Sequence, residues 1–594
     1  MDETMFPGQR PAIGVRAIVD GRDSLRPAHT GPARALARQV CELLRRTVRY
    51  GDGEPVRCVL ADEAVGSAQD ALRAQEQFRA QNVGAVISVA RAWSYPFEVM
   101  CLDDRLPQLV WGFSGSDAPG TVFMAAATST AAQHGLPFFK VYGRDIRPAA
   151  DTHIPPDVAQ QLVQFAQCAL AVATMRGRTY LRLGNTCMGI GASMPDEHFF
   201  RAYLGMRVQS MDMTGLLHRM QAGIYDRQEF ETARAWVREH CREMEDPNPP
   251  QLRLSPAEKE RVWDDSVRMA LIFRDLMDGN PRLADAFGPE AAAGHAALTA
   301  SFQGQRQWTD FLPTADFAES ILNAGFDWNG PRRPHPVATE NDALQAAAML
   351  FGTLLTGAAQ LFCDVRGYWS PAAMEERLGR RGADVPDGFL YLTNSGSMAL
   401  DGSMEALRGG SPAIKPFWEL TAQDAARCAA ATRWGPAKRG VFRAGGFSAS
   451  FRARGGVPLT MVRLNLVKGL GPALQIAEGR TADLEPDLAQ AAARQTDPTW
   501  PQVFFVPRLT DRFASSSVYR VIESWGSNHC VLCPGHVGGQ LVTLASMLRI
   551  PVSFHNLAPE QLMRPDVWRQ FGADDPTGAD YRACAAFGPL YGRY

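Results

Sequence analysis

The sequence predicts an α/β protein in which two α/β domains with parallel sheets precede a β-rich, barrel-like domain. Up to about residue 356, short β-rich segments alternate with helical ones, a pattern typical of parallel strands joined by crossover helices. In the last third, hairpin spacing replaces these crossovers, which indicates an antiparallel sheet or small barrel. We therefore divide the chain into residues 1–175, 176–356 and 357–594.

In the first domain, strands are predicted over 13–19, 84–90, 109–112 and 138–142, and helices over 64–80 and 156–175. The longest of these helices has proline at its start, where a missing N–H costs nothing. The order of strands and helices fits a parallel sheet.

The second domain begins with a predicted strand over 179–183 and a glycine-bearing loop containing Gly184, Gly189 and Gly191. Another strand follows within 204–213, and Asp212 stands where a Rossmann-like domain would place a ribose-binding acid. The loop does not fit the spacing G-x-G-x-x-G, and a sharp turn after a strand explains its glycines equally well. A nicotinamide-dependent oxidoreductase is therefore an alternative that rests on this loop alone.

Beyond this loop, the charged segment 231–283 is predicted to be two helices separated by Pro247, Pro249 and Pro250. Strands are then predicted over 460–467, 472–478, 502–509 and 518–522. The first two of these strands, with Gly469 and Gly471 between them, form a hairpin.

The composition indicates no particular function, but it argues against several classes of protein. Of 594 residues, 46% are hydrophobic and 21% charged, which is typical of a globular protein. The formal net charge is −2 and no basic run stands out, which argues against nucleic-acid binding. The N-terminal residues lack the charged start and apolar run of an export signal, and no stretch is apolar enough to predict a membrane span. We expect a cytoplasmic protein.

Eleven scattered cysteines suit free thiols in a reducing compartment. Cys530 and Cys533 form a C-x-x-C, and His536 follows, but no second cysteine pair completes a zinc site. We interpret the pair as incidental.

The most informative candidate site residues are two carboxylates, Glu340 and Asp364. A predicted strand over 336–339 ends at Glu340. The next residues, Asn341 or Asp342, can cap a predicted helix over 343–356. A second predicted strand, over 359–363, leads to Asp364. If these strands are parallel neighbours, both acids emerge at one edge of the sheet, where such sheets bind ligands. Two close carboxylates need a shared proton or a cation between them. The alternative is that each acid only caps a helix or pairs with Arg366.

A third ligand would most naturally be a histidine, and the chain has eleven. His529 and His536 both lie in glycine-rich turns of the last third, and spacing alone does not choose between them.

These residues belong to a series of short segments in which the chain resembles the L-fucose isomerase family. In chain order the segments are IGVR 13–16, DGR 20–22, WGF 111–113, FQGQR 302–306, FDWNG 326–330, ATEND 338–342, DVR 364–366, YWS 368–370, NSGS 394–397, KGLGP 468–472, NH 528–529, GHVG 535–538 and GPLY 588–591. Such a collinear set is more specific than any single motif.

The resemblance implies three domains, a homohexamer, and a Mn²⁺ site formed by Glu340, Asp364 and His529. It also implies that Glu340 and Asp364 are the two acid/base groups. Further positions that resemble parts of the sugar pocket are Arg16, Trp93, Gln303 and Trp500, the first two supplied by a neighbouring subunit. Phe447 stands near a position where the family carries tyrosine, and the missing hydroxyl bears on the choice of sugar.

The function implied is conversion of L-fucose to L-fuculose, and of D-arabinose to D-ribulose, through an enediol. Another related aldose remains open as the substrate. A non-catalytic sugar-binding protein is a further alternative, although such a protein would not need two acids and a histidine.

Overall fold

The computed structural model describes residues 10–115, 120–134, 136, 138–148, 151–495, 500–510, 517–565 and 584–592. Residues 1–9, which contribute to the prediction that there is no export signal, lie outside this range.

The first region forms a five-stranded parallel sheet in the order β2-β1-β3-β4-β5. Its strands are β1 (Ala12–Ile18), β2 (Cys58–Leu60), β3 (Val83–Ala90), β4 (Gln108–Gly112) and β5 (Phe138–Tyr142). Its helices are α1 (Arg26–Thr47), α2 (Ala68–Ala80), α3 (Pro96–Val99), α4 (Gly120–Gln133) and α5 (Pro156–Met175). The predicted alternation is confirmed.

The second region contains a four-stranded parallel sheet in the order β12-β9-β6-β7. Its strands are β6 (Thr179–Leu183), β7 (Arg207–Met211), β8 (Arg242–Glu243), β9 (Ala297–Phe302), β10 (Phe326–Asp327), β11 (Gly330–Pro331) and β12 (Val337–Ala338). Its helices are α6 (Glu197–Leu204), α7 (Met213–Ala222), α8 (Arg227–His240), α9 (Pro256–Asp278), α10 (Ala284–Phe287), α11 (Pro289–Ala292), α12 (Asp316–Asn323) and α13 (Ala343–Thr356). The two helices predicted around the proline cluster are α8 and α9.

The third region is β-rich. Its strands are β13 (Leu361–Trp369), β14 (Phe389–Thr393), β15 (Ala406–Arg408), β16 (Ser411–Ala413), β17 (Arg433–Pro436), β18 (Phe447–Ser450), β19 (Pro458–Val467), β20 (Gly471–Thr481), β21 (Gln502–Pro507), β22 (His529–Pro534) and β23 (Val552–Phe554). Its helices are α14 (Pro371–Leu378), α15 (Ala422–Ala431), α16 (Pro486–Arg494), α17 (Val518–Glu523) and α18 (Gly538–Met547).

Six of these strands close into an antiparallel barrel. The order is β19-β22-β13-β14-β21-β20, and β20 pairs back onto β19 along the predicted hairpin. The short strand β23 adds to β20 in parallel. Closure removes the exposed sheet edges that an open sheet of this size would carry.

One predicted strand is wrong, because residues 518–522 form the helix α17. The Ser517 side chain caps its first turn by accepting a hydrogen bond from the Arg520 N–H, and Val518 and Val521 are buried one turn apart. Their β-branched side chains favour a strand, but the cap and the packing at helical spacing outweigh that preference.

Helix α5 is long and apolar enough to cross a membrane by length and composition. Its Gln164 side chain donates to the Gly539 carbonyl (3.2 Å) and to the Thr543 hydroxyl (2.9 Å) of α18, and most of its apolar residues are buried. It is therefore a core helix that joins the first region to the third.

Helix α13 joins the second sheet to the barrel. It is buried from Ala343 to Thr353 and packs against β9 on the sheet and against β19 and β22 on the barrel. The turn that precedes this helix is thereby held beside the barrel wall.

Candidate active site

Glu340 lies in a strained turn between β12 and α13. Both Glu340 and Asn341 adopt left-handed backbone conformations, with φ of 56° and 59°. For residues with a side chain this costs roughly 1–2 kcal/mol each, and such strain persists only where the surroundings enforce it. On one side, the Asn341 side chain accepts a hydrogen bond from the Ser301 hydroxyl and donates to the Asn185 carbonyl (2.7 Å).

Asp364 and His529 face each other on neighbouring antiparallel strands of the barrel. Asp364 on β13 is directly opposite His529 on β22 in the strand register. The two acids do not follow parallel neighbouring strands of one sheet, which is the condition under which the sequence predicts that they emerge together. Glu340 follows the second sheet and Asp364 belongs to the barrel, so they meet where α13 brings the two together.

The two acids converge on one nitrogen of His529. Its Nε2 atom lies 3.3 Å from Glu340 Oε2 and 3.6 Å from Asp364 Oδ1. His529 is 1% exposed, and Nε2 has no hydrogen bond of good geometry. A buried ring nitrogen therefore points at two carboxylates.

The opposite ring nitrogen is anchored. His529 Nδ1 lies 2.7 Å from Asp342 Oδ2, and the ring packs against Phe362 with 4.7 Å between ring centroids. Burial alone would lower the pKa of His529, but the hydrogen bond to Asp342 and the nearby Glu340 carboxylate outweigh it and raise the pKa to about 9.

Asp342 is fully buried and carries three roles. Its Oδ1 accepts from the Gln345 N–H (3.0 Å) as the predicted cap of α13. Its Oδ2 accepts from Arg463 Nη1 (2.6 Å) on β19 and contacts His529. Burial opposes the charge on Asp342, but Arg463 and His529 hold its pKa well below the usual range. Sequence reasoning found the cap and missed the other two roles, because both partners are distant in sequence.

Asp364 is the more accessible acid, with 23% of its side chain exposed. Burial raises its pKa to about 6; His529 opposes this shift and Glu340 adds to it. Arg366, two residues along the strand, lies over the Trp500 ring, with its Cζ atom 5.6 Å from the ring centroid. Trp500 is therefore placed near the Asp364 edge of the site.

Gln303 ties the glycine-bearing loop to this site. Its Oε1 atom accepts from the Asn185 N–H (2.7 Å), while the Asn185 carbonyl accepts from Asn341. Gly184 has φ of +84°, and a Cβ atom there would lie 2.7 Å from Gln303 Oε1. The glycine serves a sharp turn. Asp212, the acid considered for a ribose, caps α7 by accepting from the Thr214 N–H (2.8 Å).

Arg16 and Trp93 lie in the first region, apart from these contacts. Arg16 on β1 is 4% exposed and donates from Nε to the Ser88 hydroxyl (2.9 Å). Trp93, just after β3, packs against the outer apolar cluster of that region. The described contacts of both residues are with their own region.

Phe447 lies inside the core. It is 1% exposed and stacks on Trp263, with 4.1 Å between ring centroids and 6° between ring planes. The ring has no face open to a sugar in this structure.

The remaining candidates lie elsewhere. His536 Nε2 contacts the Gly479 carbonyl (2.9 Å) on the barrel. Cys530 and Cys533 are fully buried on β22, opposite Cys363 and Thr460. All eleven cysteines have free thiols.

Glu340, Asp364 and His529 fit a divalent cation by their chemistry. Two carboxylates and an imidazole are donors that Mn²⁺ accepts, and the buried Nε2 lacks a good hydrogen bond. Across the described ranges, however, no three His, Cys, Asp or Glu side chains are arranged to hold a metal as they stand.

Comparison with protein families gives three matches along the chain. Residues 10–177 match the first N-terminal domain of L-fucose isomerase, 178–357 the second N-terminal domain, and 392–555 the C-terminal domain.

Several curated proteins are similar over nearly the full length. The L-fucose isomerases of Bacteroides fragilis (strain YCH46) and Vibrio vulnificus (strain YJ016) are each 47% identical, over 98% of this chain and 99% of theirs. The L-fucose isomerase of Streptococcus pneumoniae (strain CGSP14) is 48% identical, over 98% of this chain and all of its own.

Replacing Asp342 with Asn should lower the free energy of unfolding by about 3–5 kcal/mol, because Arg463 would be left buried without its counter-charge. It should also change the protonation of His529, which ¹⁵N NMR of the ring nitrogens can follow. A matched control is Asp401→Asn, since Asp401 is buried but contacts the Gly325 N–H instead. Equal losses in the two variants would contradict the role given to Asp342.

Replacing Phe447 with Ala should lower the free energy of unfolding by about 3–5 kcal/mol, as expected for a buried aromatic side chain. Leu407→Ala, at a residue that is 38% exposed, should change it by less than about 0.5 kcal/mol. Denaturant titration measures both. A small loss at Phe447, accompanied by weaker sugar binding, would instead place its ring in the pocket.

Proposed function

This chain belongs to the L-fucose isomerase family, and we propose that it converts L-fucose to L-fuculose, and D-arabinose to D-ribulose, through an enediol. The observation that carries the proposal is the convergence of Glu340 and Asp364 on the buried Nε2 of His529. An aldose–ketose isomerase needs two acid/base groups at one place, and this arrangement supplies them.

The reaction moves one proton between two carbons. One carboxylate removes the proton from C2 of the open-chain aldose while O1 gains a proton, which gives an enediol. A carboxyl group then delivers a proton to C1, and the O2 hydroxyl loses its proton as the ketone forms. The pKa of Asp364, raised to about 6 by burial, suits a group that both accepts and donates protons near neutral pH. Glu340 and Asp364 share these two roles.

Glu340, Asp364 and His529 would hold Mn²⁺. A divalent cation at this place would polarise the sugar carbonyl and lower the pKa of the neighbouring hydroxyl. Asp342 would keep Nδ1 of His529 protonated and Nε2 directed at the two acids, as carboxylates behind metal-bound histidines commonly do.

The sugar pocket is proposed to include Gln303, which is linked to the Glu340 turn through Asn185, and Trp500, which contacts Arg366 near Asp364. Arg16 and Trp93 would reach the same pocket from a neighbouring subunit of a homohexamer. Within one chain, the described contacts of both residues are with their own region, which agrees with that origin. Phe447 would act indirectly, because its ring stacks on Trp263 and so holds β18 in place. We propose a cytoplasmic location, consistent with eleven free thiols.

Replacing Glu340 with Gln should keep the fold and reduce turnover by at least about 10²-fold, because general acid–base groups typically contribute this much. Ketose formation from L-fucose measures turnover, and a thermal melt checks the fold. Asp401→Asn should retain turnover. Substantial activity in Glu340→Gln would remove Glu340 from the mechanism.

Treatment with EDTA should abolish ketose formation, and added Mn²⁺ should restore it. A panel of aldoses that includes L-fucose and D-arabinose, assayed with and without Mn²⁺, identifies the substrate. Full activity after thorough chelation would exclude the proposed cation. Binding of L-fucose without product would favour a sugar-binding protein, and tight binding of NAD(H) with redox turnover would favour an oxidoreductase.

A further inference from the structure

Helix α12 carries a buried polar stripe on the side of the protein that holds Glu340. We use this name for Asp316, Glu319, Ser320 and Asn323, which recur at the three- and four-residue spacing of one helix face. All four are at most 2% exposed. The rest of the helix is largely apolar, so four polar side chains in the core need a purpose, since burying them is costly.

Three of the four side chains bind segments around the candidate active site. The Asn323 amide exchanges two hydrogen bonds with the backbone of Val337, just before the Glu340 turn (both 2.8 Å). Ser320 donates to the Gly396 carbonyl (3.0 Å). Asp316 accepts from the Ser448 hydroxyl (2.5 Å). The stripe therefore links β12, the loop over 394–397 and β18.

Glu319 occupies the centre of the stripe and is completely buried. Neither of its carboxyl oxygens makes a hydrogen bond of good geometry. The hydroxyls of Thr339 and Ser397 are its hydrogen-bonding neighbours, one from the Glu340 turn and one from the 394–397 loop. The Ser397 hydroxyl donates to Asn394 Oδ1 (2.9 Å), so it can only accept from Glu319. It thus lies between the two segments that its helix neighbours bind.

The surroundings of Glu319 disfavour a charge. Burial raises its pKa well above the usual range, and Asp316 and Glu340 add to that shift. No basic side chain is among the groups that act most strongly on it. Burial likewise raises the pKa of Asp316 to about 7. A buried acid without a counter-charge is stable only in its neutral form, as a hydrogen-bonding group.

We propose that the buried polar stripe of α12 is a positioning device for Glu340, in which Asn323 holds β12 and Glu319 fills the space between Thr339 and the 394–397 loop as a hydrogen-bonding side chain. Asn341 is held from one side by Ser301 and Asn185. The strand that leads into the turn is held from the other side by Asn323, and Glu319 lies beside Thr339. The left-handed turn at Glu340 and Asn341 is thereby fixed from both sides, as a strained turn requires. This inference rests on the proposed function only in giving Glu340 a catalytic role.

The test compares Glu319→Gln with Glu319→Leu. Glutamine keeps the size and hydrogen-bonding capacity of the uncharged acid, so kcat and the Kd for Mn²⁺ should stay within about threefold of the original. Leucine removes the polar contact, and kcat should fall about 10- to 100-fold while KM changes much less, because misplacement of a catalytic group lowers the rate of the chemical step. Asp401→Leu, at another buried acid, controls for loss of stability alone.

Loss of activity in Glu319→Gln equal to that in Glu319→Leu would overturn the proposal, since it would show that the charge matters. Unchanged kcat in Glu319→Leu would overturn it as well. If the leucine variant does not fold, the glutamine variant alone still tests the proposal. If Glu319 were ionised, its replacement by glutamine would lower kcat strongly, whereas the proposal expects little change.

A second measurement is independent of any isomerase activity. Infrared difference spectra of the intact protein at neutral pH, original minus Glu319→Gln, should show the carbonyl band of a protonated buried carboxylic acid. Carboxylate bands in its place would overturn the proposal. If the spectra show the carbonyl band of a protonated acid but the protein does not isomerise any aldose, the proposed function is rejected, while the protonation state of Glu319 is still established.

Discussion

The contact between Asp342 and His529 is the interaction on which the candidate active site depends. Asp342 begins α13, which is packed against the second sheet, and His529 begins a barrel strand. A hydrogen bond of 2.7 Å joins them across 187 residues of sequence. Arg463, from a third element, neutralises the same carboxylate at 2.6 Å. One buried side chain therefore sets the start of a helix, the orientation of an imidazole and the relative placement of two domains.

Burying the charge of Asp342 costs free energy, and the hydrogen bonds around it offset that cost. A buried carboxylate loses its hydration, and one counter-charge seldom compensates fully for that loss. Asp342 gains a guanidinium, an imidazole and a backbone N–H together, so that both of its oxygens are used. A group satisfied in this way is rigid, and rigidity is what an acid/base site requires.

The surroundings of Glu340 illustrate a second constraint. The site concentrates acids, with Asp316, Glu319, Asp342 and Asp364 all near it, and their mutual repulsion must be relieved. Asp342 is relieved by cations, Asp316 and Glu319 by burial that favours their neutral forms, and Asp364 by a raised pKa and partial exposure. The remaining acid, Glu340, lies beside Asp364 and His529, where we propose that the substrate and a divalent ion bind.

The sequence by itself predicted that parallel α/β regions precede a β-rich region, and it named three side chains that the structure brings together. Alternating periodicity predicts the parallel sheets, hairpin spacing predicts the barrel, and collinear motifs point to Glu340, Asp364 and His529, because these signals are local or carried by a family pattern. Tertiary structure alone decided that the two acids come from different sheets, that residues 518–522 are helical, that Phe447 is buried, and that Asp342 contacts His529. Each of these depends on contacts between residues far apart in the chain, and local propensity carries no information about which distant partner a side chain will meet.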